Sequence, residues 1–506
     1  MQVGEPLSLE DVVAVAHGAD VALAPGAVER IRAARDVVER VVSSGATVYG
    51  VTTGFGSLAD VRIEPAQADA LQSGIVRSHA TAVGRPLSRE EARAMLLLRA
   101  HVLALGHSGV RVQIVDRMLE MLRRDLIPVV PEQGSLGASG DLAPLAALAL
   151  PLLGSGRVYT PEGIRPSADA MAGAGLAPIE LRAKEGLALV NGTQGMLAVG
   201  SLASHRLARM LRVADVTAAM TIEAALGTDR PFDERLHRLR PHPGQASSAA
   251  NLRRLLAGSP ILESHRSSAH AVQDAYSMRC APQVHGATRD ALAFAEGVLT
   301  IELNAVSDNP IVLPGDDEVV SGGNFHGQPV AIALDALAAS TVSLASISER
   351  RLYRLLDPAR NAGLPAFLVR EHGLHSGFML AQYTAASLVS ESKSLAHPAS
   401  IDSIPSSAGQ EDHVSMGMTA ARHARECVNN AEIVVAIELL AAAQALDLRS
   451  PLRPGAGSAA ARAVVRDRVG FLAEDRELAP DFDAAVELVR GDALVDAVQA
   501  EVGPLD

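Results

Sequence analysis

The sequence predicts a mainly α protein built around a bundle of long helices, with a few short β-hairpins. Hydrophobic residues make up 48% of the 506-residue chain, aromatic residues make up only 3%, and Trp is absent. A chain rich in Ala and Leu but poor in aromatic residues favours helices that pack closely through small side chains. Apolar stretches with helical periodicity recur at residues 197–226, 289–306, 329–356 and 429–448, which indicates a bundle of mostly buried helices.

Local signals place the shorter helices. Ser8 and Asp11 are typical of the start of a first helix. Ser88 and Glu91 form a capping-box pattern before a second apolar run, which Gly106 ends. These signals predict that helices begin within the first ten residues and again just after Ser88.

Strand signals are fewer. Residues 156–167 predict a short hairpin that turns at Pro161-Glu162-Gly163. Gly-, Ser- and Asn-rich loops separate the predicted helices, and functional residues are concentrated on such loops. We expect a helical N-terminal region over residues 1–200, followed over residues 201–506 by the central bundle and C-terminal helices of the same unit.

Composition limits the classes of partner and location. The formal net charge is −13, from 45 basic and 58 acidic residues, which argues against binding to nucleic acid or to an anionic membrane. The only cysteines, Cys280 and Cys427, exclude a disulfide framework and favour a reducing compartment. The N-terminus carries acids where a signal peptide needs bases, and the most apolar stretches are too short or too interrupted to span a membrane. We therefore expect a cytoplasmic protein.

The segment GSLGASGDLAPL, residues 134–145, contains the tripeptide Ala138-Ser139-Gly140. Taken alone, this tripeptide is common, and a turn that leads into a helix is the plainer interpretation. Its chemistry is particular, because attack of the Gly140 nitrogen on the Ala138 carbonyl and loss of water would close an imidazolone ring with Ser139 as an exocyclic methylidene. Gly permits so tight a turn because it lacks Cβ. A helix that begins near Asp141 would direct its positive end at this electrophilic ring.

Two further candidates precede this segment. Tyr49 opens a Gly- and Thr-rich loop, where it would be either a base or a side chain packed on the core. A phenol, with an ordinary pKa near ~10, becomes a useful base only where its site stabilises the phenolate. His79 would be either structural or catalytic, and a lone histidine is more often structural.

Later segments add candidate binding groups. Gln273, Tyr276 and Arg279 lie in one short stretch, and Tyr276 and Arg279 would share a helix face. Arg279 would either hold a carboxylate or form a structural ion pair. Gln410 and Glu411 begin an acidic stretch whose spacing matches no standard metal-ligand set, so we expect no metal.

Together these stretches resemble the aromatic amino acid lyases, ammonia-lyases that build a 4-methylidene-imidazol-5-one (MIO) cofactor autocatalytically from their own Ala-Ser-Gly. The resemblance runs from about Tyr49 to the helix after Glu411, and GSLGASGDLAPL is its most specific part. It implies a long central helical bundle of the fumarase and aspartase type, and MIO formed from Ala138-Ser139-Gly140 with no external cofactor. It also implies a homotetramer whose active sites combine loops from three subunits.

Two positions within the resemblance indicate the substrate. Ser78-His79 stands where family members for histidine carry Ser-His, whereas phenylalanine and tyrosine lyases usually carry Phe-Leu or His-Leu. Glu411 stands where those lyases tend to carry an amide. The resemblance therefore implies non-oxidative deamination of L-histidine to trans-urocanate and ammonia, the first step of histidine degradation.

The resemblance also implies a role for each matching residue. The catalytic group comprises Tyr49 as base for the β-hydrogen, the tripeptide, Tyr276 and Glu411. The binding residues are Arg279 for the carboxylate, Gln273 on the same wall, His79 with Glu411 and flanking Met379 for the imidazole, Asn191 for the cofactor or the migrating amine, Phe325 against the ring, and Gln410 beside Glu411.

Three alternatives stay open. A phenylalanine or tyrosine ammonia-lyase would share everything except the two selectivity positions. An aminomutase would use the same cofactor but return ammonia to the β-carbon. A non-catalytic helical scaffold with an uncyclised tripeptide would have to explain why so many separate positions match. The chain departs from the family's tyrosine loop at Thr52, where Asn is frequent.

Overall fold

The computed structural model of the protein describes residues 1–58, 63, 67–268 and 272–506, and it confirms the mainly α architecture. The chain forms two compact units. The first comprises Met1–His205, Ala295–Asp335 and Pro398–Arg422, and the second comprises Arg206–Phe294, Ala336–His397 and His423–Asp506. The division expected at residue 200 stays a prediction, because compact packing does not show which segments fold as domains.

Helices dominate both units. In chain order they are α1 Leu9–Ala16, α2 Pro25–Ser44, α3 Ala68–His79, α4 Arg89–Ala104, α5 Val112–Arg123, α6 Leu142–Ala149, α7 Ser167–Gly173, α8 Glu185–Val190, α9 Gln194–Ala224, α10 Glu234–Arg238, α11 Pro243–Leu256, α12 Pro260–Ser264, α13 Tyr276–Arg279, α14 Ala281–Leu303, α15 Gln328–Leu356, α16 Met379–Leu395, α17 Gly417–Leu448, α18 Ala456–Arg468, α19 Ala479–Arg490 and α20 Ala493–Val502. The four apolar stretches identified from periodicity correspond to α9, α14, α15 and α17.

The strands are short, and those described lie in the first unit. They are β1 Gln2–Val3, β2 Ala22–Leu23, β3 Val83–Pro86, β4 Ile127–Pro128, β5 Pro131–Gln133, β6 Arg157–Thr160, β7 Gly163–Pro166, β8 Ile311–Leu313 and β9 Glu318–Val320. The predicted hairpin is confirmed, because β6 pairs antiparallel with β7 and Thr160 faces Gly163 across the turn. Strand β3 pairs antiparallel with β5, which leads directly into the tripeptide.

The predicted helix starts are confirmed by their caps. Ser8 caps α1 and Ser88 caps α4, and in both cases the side chain three residues later completes a capping box. Gly106 follows the end of α4 with a φ of 84°, which favours glycine. Such caps satisfy the backbone N–H groups that have no partner inside a helix.

Helix α15 is the one helix, among the residues described, that is long and apolar enough to cross a membrane. Its most apolar window is 61% buried inside the protein. This burial is typical of a core helix, so length and composition alone do not identify a membrane span.

Candidate active site

The tripeptide lies in the tight connection between β5 and α6. Gly140 has a φ of 75°, and a Cβ added there would collide with the carbonyl oxygen of Gly192. The same oxygen accepts a 2.7 Å hydrogen bond from the amide nitrogen of Asp141. Because backbone approaches backbone so closely, only glycine fits at residue 140.

Asp141 fixes the other side of this turn. Its fully buried carboxylate accepts hydrogen bonds from Ser135 Oγ at 2.8 Å and from the Met196 amide nitrogen at 2.7 Å. Burial raises the pKa of Asp141 to about 6, although these hydrogen bonds oppose the increase. Asp141 thus connects the tripeptide to the start of α9.

A cavity of about 1030 Å³ opens beside the tripeptide. Most of the sequence-predicted site residues line it: Tyr49, His79, Ala138, Ser139, Asn191, Phe325, Gln410 and Glu411. They come from six separate segments of the first unit, which the fold brings together around the cavity. Gly140 is buried behind Ser139 and takes no part in the lining.

Tyr49 is held by its own loop. Its hydroxyl oxygen accepts a 3.2 Å hydrogen bond from the amide nitrogen of Gly56. Thr52 stabilises the loop, because its hydroxyl donates to the Ala46 carbonyl at 2.7 Å and accepts from the Val48 amide nitrogen at 2.9 Å. The departure at Thr52 therefore keeps a side chain that can both donate and accept. The Gly56 amide nitrogen thus fixes the position of the Tyr49 oxygen.

His79 ends α3 and lines the cavity. Its Nδ1 lies 3.0 Å from the carbonyl oxygen of Ile75. Since a carbonyl only accepts, Nδ1 carries the hydrogen in the neutral ring and Nε2 keeps its lone pair. His79 is thus set to accept a hydrogen bond from a ligand N–H.

Glu411 lies on a loop distant in sequence from the tripeptide, and its side chain contacts the tripeptide directly. Its Oε1 accepts a 3.0 Å hydrogen bond from Ser139 Oγ, and its Oε2 accepts one of 2.8 Å from Ser406 Oγ. An antiparallel bridge between Ser406 and Glu411 holds the loop. The carboxylate is therefore positioned directly over the residue whose chemistry the sequence singles out.

Asn191 ends α8 and is 2% exposed. Its Nδ2 lies 3.0 Å from the carbonyl oxygen of Asn309 and 3.4 Å from Asp308 Oδ1. In the part of the chain that the structure describes, Asn191 Oδ1 has no hydrogen-bond partner. A buried amide oxygen without a partner in the wall of a cavity indicates a position for a ligand donor.

Four predicted residues lie in the second unit and do not line this cavity. Gln273 and Arg279 line a separate cavity of about 530 Å³. Tyr276 is 70% exposed, and the Arg279 guanidinium lies 4.7 Å from the centre of its ring. Met379 begins α16. The expected helical turn from Tyr276 to Arg279 is present, and Arg279 Nε is buried with no partner among the described residues.

The cavity also contains residues that the sequence did not single out as site residues. His326 and His413 both line it, and their rings stack with centroids 5.8 Å apart. Ser407 accepts a 3.2 Å hydrogen bond from the Ser57 amide nitrogen and so joins the Tyr49 loop to the Glu411 loop. All three lie in the Gly- and Ser-rich loops, which is the signal that could have found them.

The helical fold and the tight Ala-Ser-Gly turn at the edge of a cavity are the features expected of one enzyme class. The sequence model of the aromatic amino acid lyase family matches residues 7–467, and the chain belongs to that family. Carbon–nitrogen lyase chemistry, expected from the sequence, is confirmed by this membership.

Individual relatives are more specific. The chain is 55% identical to a histidine ammonia-lyase of Sorangium cellulosum over the whole of both chains. It is similar to the crystal structure of histidine ammonia-lyase from Trypanosoma cruzi, with a TM-score of 0.91 and 44% identity over 99% of this chain and 96% of that one. It is also similar to tyrosine aminomutase from Streptomyces globisporus, with a TM-score of 0.94 and 38% identity over all of both chains.

Proposed function

We propose that the protein is a histidine ammonia-lyase, which converts L-histidine to trans-urocanate and ammonia. The observation that carries the proposal is the position of Glu411, 3.0 Å from Ser139 Oγ in a cavity that His79 also lines. Relatives more than 50% identical that bear this name support it.

The residues present fit the MIO group. Gly140 has no room for a side chain, and the hydrogen bond from the Asp141 amide nitrogen to the Gly192 carbonyl holds the turn. Ring closure between Ala138 and Gly140 and dehydration of Ser139 release two water molecules in total. When formed, the group supplies an electrophile that makes the substrate's nitrogen a better leaving group.

The protein's own residues bind the imidazole. Nε2 of His79 can accept from one ring N–H, and the Glu411 carboxylate can accept from the other. Two acceptors favour a ring that carries hydrogen on both nitrogens, and a positive ring makes the adjacent β-hydrogen more acidic. Phe325 lines the same cavity and would keep water from the reacting atoms.

Tyr49 is the proposed base for the β-hydrogen. The Gly56 amide nitrogen donates to its oxygen and holds that oxygen in place for proton transfer. The loop connection through Ser407 would keep this oxygen near the substrate while Glu411 holds the ring.

The remaining residues support a shared site. Arg279, with a buried and unpaired Nε among the described residues, would hold the substrate carboxylate. We propose that Arg279, Tyr276, Gln273 and Met379 complete the cavity of a neighbouring subunit in a homotetramer, and that Gln410 borders the imidazole. We further propose a cytoplasmic location.

Product analysis tests the substrate. Incubation with L-histidine should release urocanate and ammonia in equal amounts. L-phenylalanine should react at least about 10⁴-fold more slowly, because its ring has no N–H for the His79 Nε2 and Glu411 Oε1 acceptors. Faster release of cinnamate from phenylalanine would contradict the proposal.

A second candidate, an aminomutase, is favoured by the similarity to tyrosine aminomutase. NMR analysis of the same reaction distinguishes the two, since a mutase would accumulate β-histidine in place of free ammonia.

Replacing Ser78-His79 with Phe-Leu and Glu411 with Gln should lower histidine turnover and admit phenylalanine binding.

A further inference from the structure

Behind the cavity wall lies a cluster of buried polar side chains, here called the Asn191 cluster. It consists of Arg99, Lys184, Asn191 and Asp308. Lys184 and Asp308 are fully buried and form an ion pair of 2.9 Å. Arg99 is also fully buried, and one of its guanidinium nitrogens donates to the Asn191 carbonyl oxygen at 2.7 Å. Burying a charge away from water is costly. A cluster with this many buried charges therefore indicates that the protein needs them at this place.

The acceptors around Asn191 determine which way its amide faces. Nδ2 lies within hydrogen-bond distance of Asp308 Oδ1 and of the Asn309 carbonyl oxygen. Both oxygens can only accept. If the Asn191 amide were flipped, its own Oδ1 would face these two oxygens with no hydrogen between them. Although burial alone would disfavour the carboxylate, Lys184 and Arg99 hold the pKa of Asp308 below its ordinary value. Asp308 therefore remains an acceptor.

Lys184 is itself rigidly placed. It has a φ of 74°, a left-handed backbone that a non-glycine residue adopts at a cost. Its ammonium group is directed at Asp308 Oδ2, while the Asn309 amide nitrogen donates to Oδ1 at 2.7 Å. The Lys184 ammonium and the Asn309 amide nitrogen can only donate, so neither would pair with an amide NH₂ group in place of the Asp308 oxygen that it contacts.

With Nδ2 engaged, the only free group of Asn191 is Oδ1, which has no partner within the described ranges. The MIO ring offers a carbonyl oxygen and two nitrogens without hydrogen, so it has no N–H for Oδ1. The substrate's amino group does have N–H. We infer that Asp308, fixed by Lys184, orients Asn191 so that its carbonyl oxygen accepts a hydrogen bond from the amino group of the substrate. Asp308 and Lys184 are then positioning residues.

This inference rests on the proposed function and decides between the cofactor and the amine as the partner of Asn191. The experiment compares two ligands, L-histidine and 3-(imidazol-4-yl)propanoate, which lacks the amino group. The quantity measured is the Ki of the propanoate divided by the KM of L-histidine. A general loss of packing would weaken both ligands equally, whereas loss of the Asn191 acceptor would weaken only L-histidine.

The decisive variant is Asp308→Asn. Lys184 would take the amide oxygen, so the amide NH₂ would face Asn191 and turn its carbonyl away from the substrate. The ratio should fall about tenfold or more, because the amino group of L-histidine would then be buried without its hydrogen-bond acceptor. In Asp308→Asn/Lys184→Met the amide oxygen can face Asn191 again, and the ratio should return toward that of the unmodified enzyme.

Two controls complete the experiment. Glu438→Gln makes the same change in a fully buried ion pair of the second unit and should leave the ratio unchanged. If Asp308→Asn does not fold, Asp308→Leu/Lys184→Met removes the acceptor without leaving an unpaired charge, and the ratio should again fall. Parallel increases in Ki and KM, or no recovery in the Asn/Met double variant, would overturn the inference.

Failure of the proposed function is a separate outcome. If the unmodified enzyme does not deaminate L-histidine but deaminates another amino acid, the same ratio is measured with that amino acid and its deamino analogue. The role of Asp308 is then tested independently of the substrate's ring.

Discussion

Two buried ionic clusters, one in each unit, are equally buried but differ in how many of their polar atoms have hydrogen-bond partners. Around Glu438 in the second unit, Oε1 accepts from Thr221 Oγ1 and Arg351 Nε at 2.8 and 2.6 Å, and Oε2 accepts from Ser348 Oγ and Arg351 at 2.6 and 2.9 Å. We call these four residues the Glu438 cluster. Both oxygens of Glu438 are fully used.

The Asn191 cluster leaves atoms unpaired. Among the residues the structure covers, Asn191 Oδ1 and two guanidinium nitrogens of Arg99 have no partner. Burial lowers the pKa of Arg99 to about 10, which still leaves it charged at neutral pH. Native proteins pair nearly all buried polar atoms. This difference agrees with our inference that the Asn191 cluster serves a ligand, whereas the fully paired Glu438 cluster serves the fold.

The largest expected effect is that of Ser139→Ala. This change removes the hydroxyl whose loss completes the cofactor, so activity should be abolished. Intact-mass analysis should find the unmodified enzyme lighter than its sequence by two water molecules and the variant without the Ser139 dehydration. Thermal unfolding should change little, because Ser139 is a surface residue of the cavity rather than of the core.

Ser43→Ala is a suitable control. Ser43 is exposed and its hydroxyl donates to the Arg40 carbonyl of its own helix, so mass loss and activity should both persist. An unmodified enzyme with the full mass of its sequence would refute the role of the tripeptide.

Tyr49→Phe should have the next largest effect. Loss of the hydroxyl should lower kcat by about 10²–10⁴-fold, the usual contribution of a general base, and leave the two-water mass loss intact. Tyr159→Phe provides the matched control, since Tyr159 OH donates to the Leu87 carbonyl at 2.8 Å and does not line the cavity. Equal kcat values in the two variants would return Tyr49 to a packing role.

Glu438→Gln should affect stability instead of chemistry. Breaking a fully buried pair leaves Arg351 uncompensated and costs about 3–5 kcal/mol of unfolding free energy. Thermal unfolding should therefore begin at clearly lower temperature, while the kcat of folded enzyme stays close to the original value. A lower kcat without a loss of stability would break the contrast between the two clusters.

Periodicity and local caps were sufficient to predict the mainly α class, the four long helices and two helix starts, whereas the type of bundle was implied only by the family resemblance. Helices α9, α14, α15 and α17 carry continuous apolar patterns, and the capping box at Ser88 depends on residues three apart. Short-range signals of this kind are present in the sequence itself.

The candidate site was only partly predictable. Ser139 and Glu411 are 272 positions apart but hydrogen-bonded, and only their resemblance to a family connected them in the sequence. The pairing of Lys184 with Asp308 and the contact of Ser407 with the Tyr49 loop had no such signal. Lys184 also adopts a backbone conformation that propensity disfavours, as is common where surrounding structure overrides local preference.

The smallest expected effect concerns Asp141, which lies at the tripeptide but is fully paired like Glu438. Burial raises its pKa to about 6 from an ordinary 3.8, so the folded protein holds this proton more tightly than the unfolded chain does. Its contribution to stability is therefore complete below about pH 4 and is lost as the pH rises through about 6. At about 1.4 kcal/mol for each pKa unit, the change amounts to about 2–3 kcal/mol.

Asp141→Asn should remove this dependence, because an amide does not titrate. The variant loses one hydrogen-bond acceptor at every pH, since either Ser135 or the Met196 amide would face an NH₂ group. The unfolding temperature of the variant should therefore lie below that of the unmodified protein, by a margin that narrows as the pH rises from 4 to 7. Asp483→Asn, at an exposed carboxylate, should run parallel to the unmodified protein. A margin that widens with pH would show that Asp141 is stabilised as a carboxylate, and it would then belong with the fully compensated charges of the Glu438 cluster.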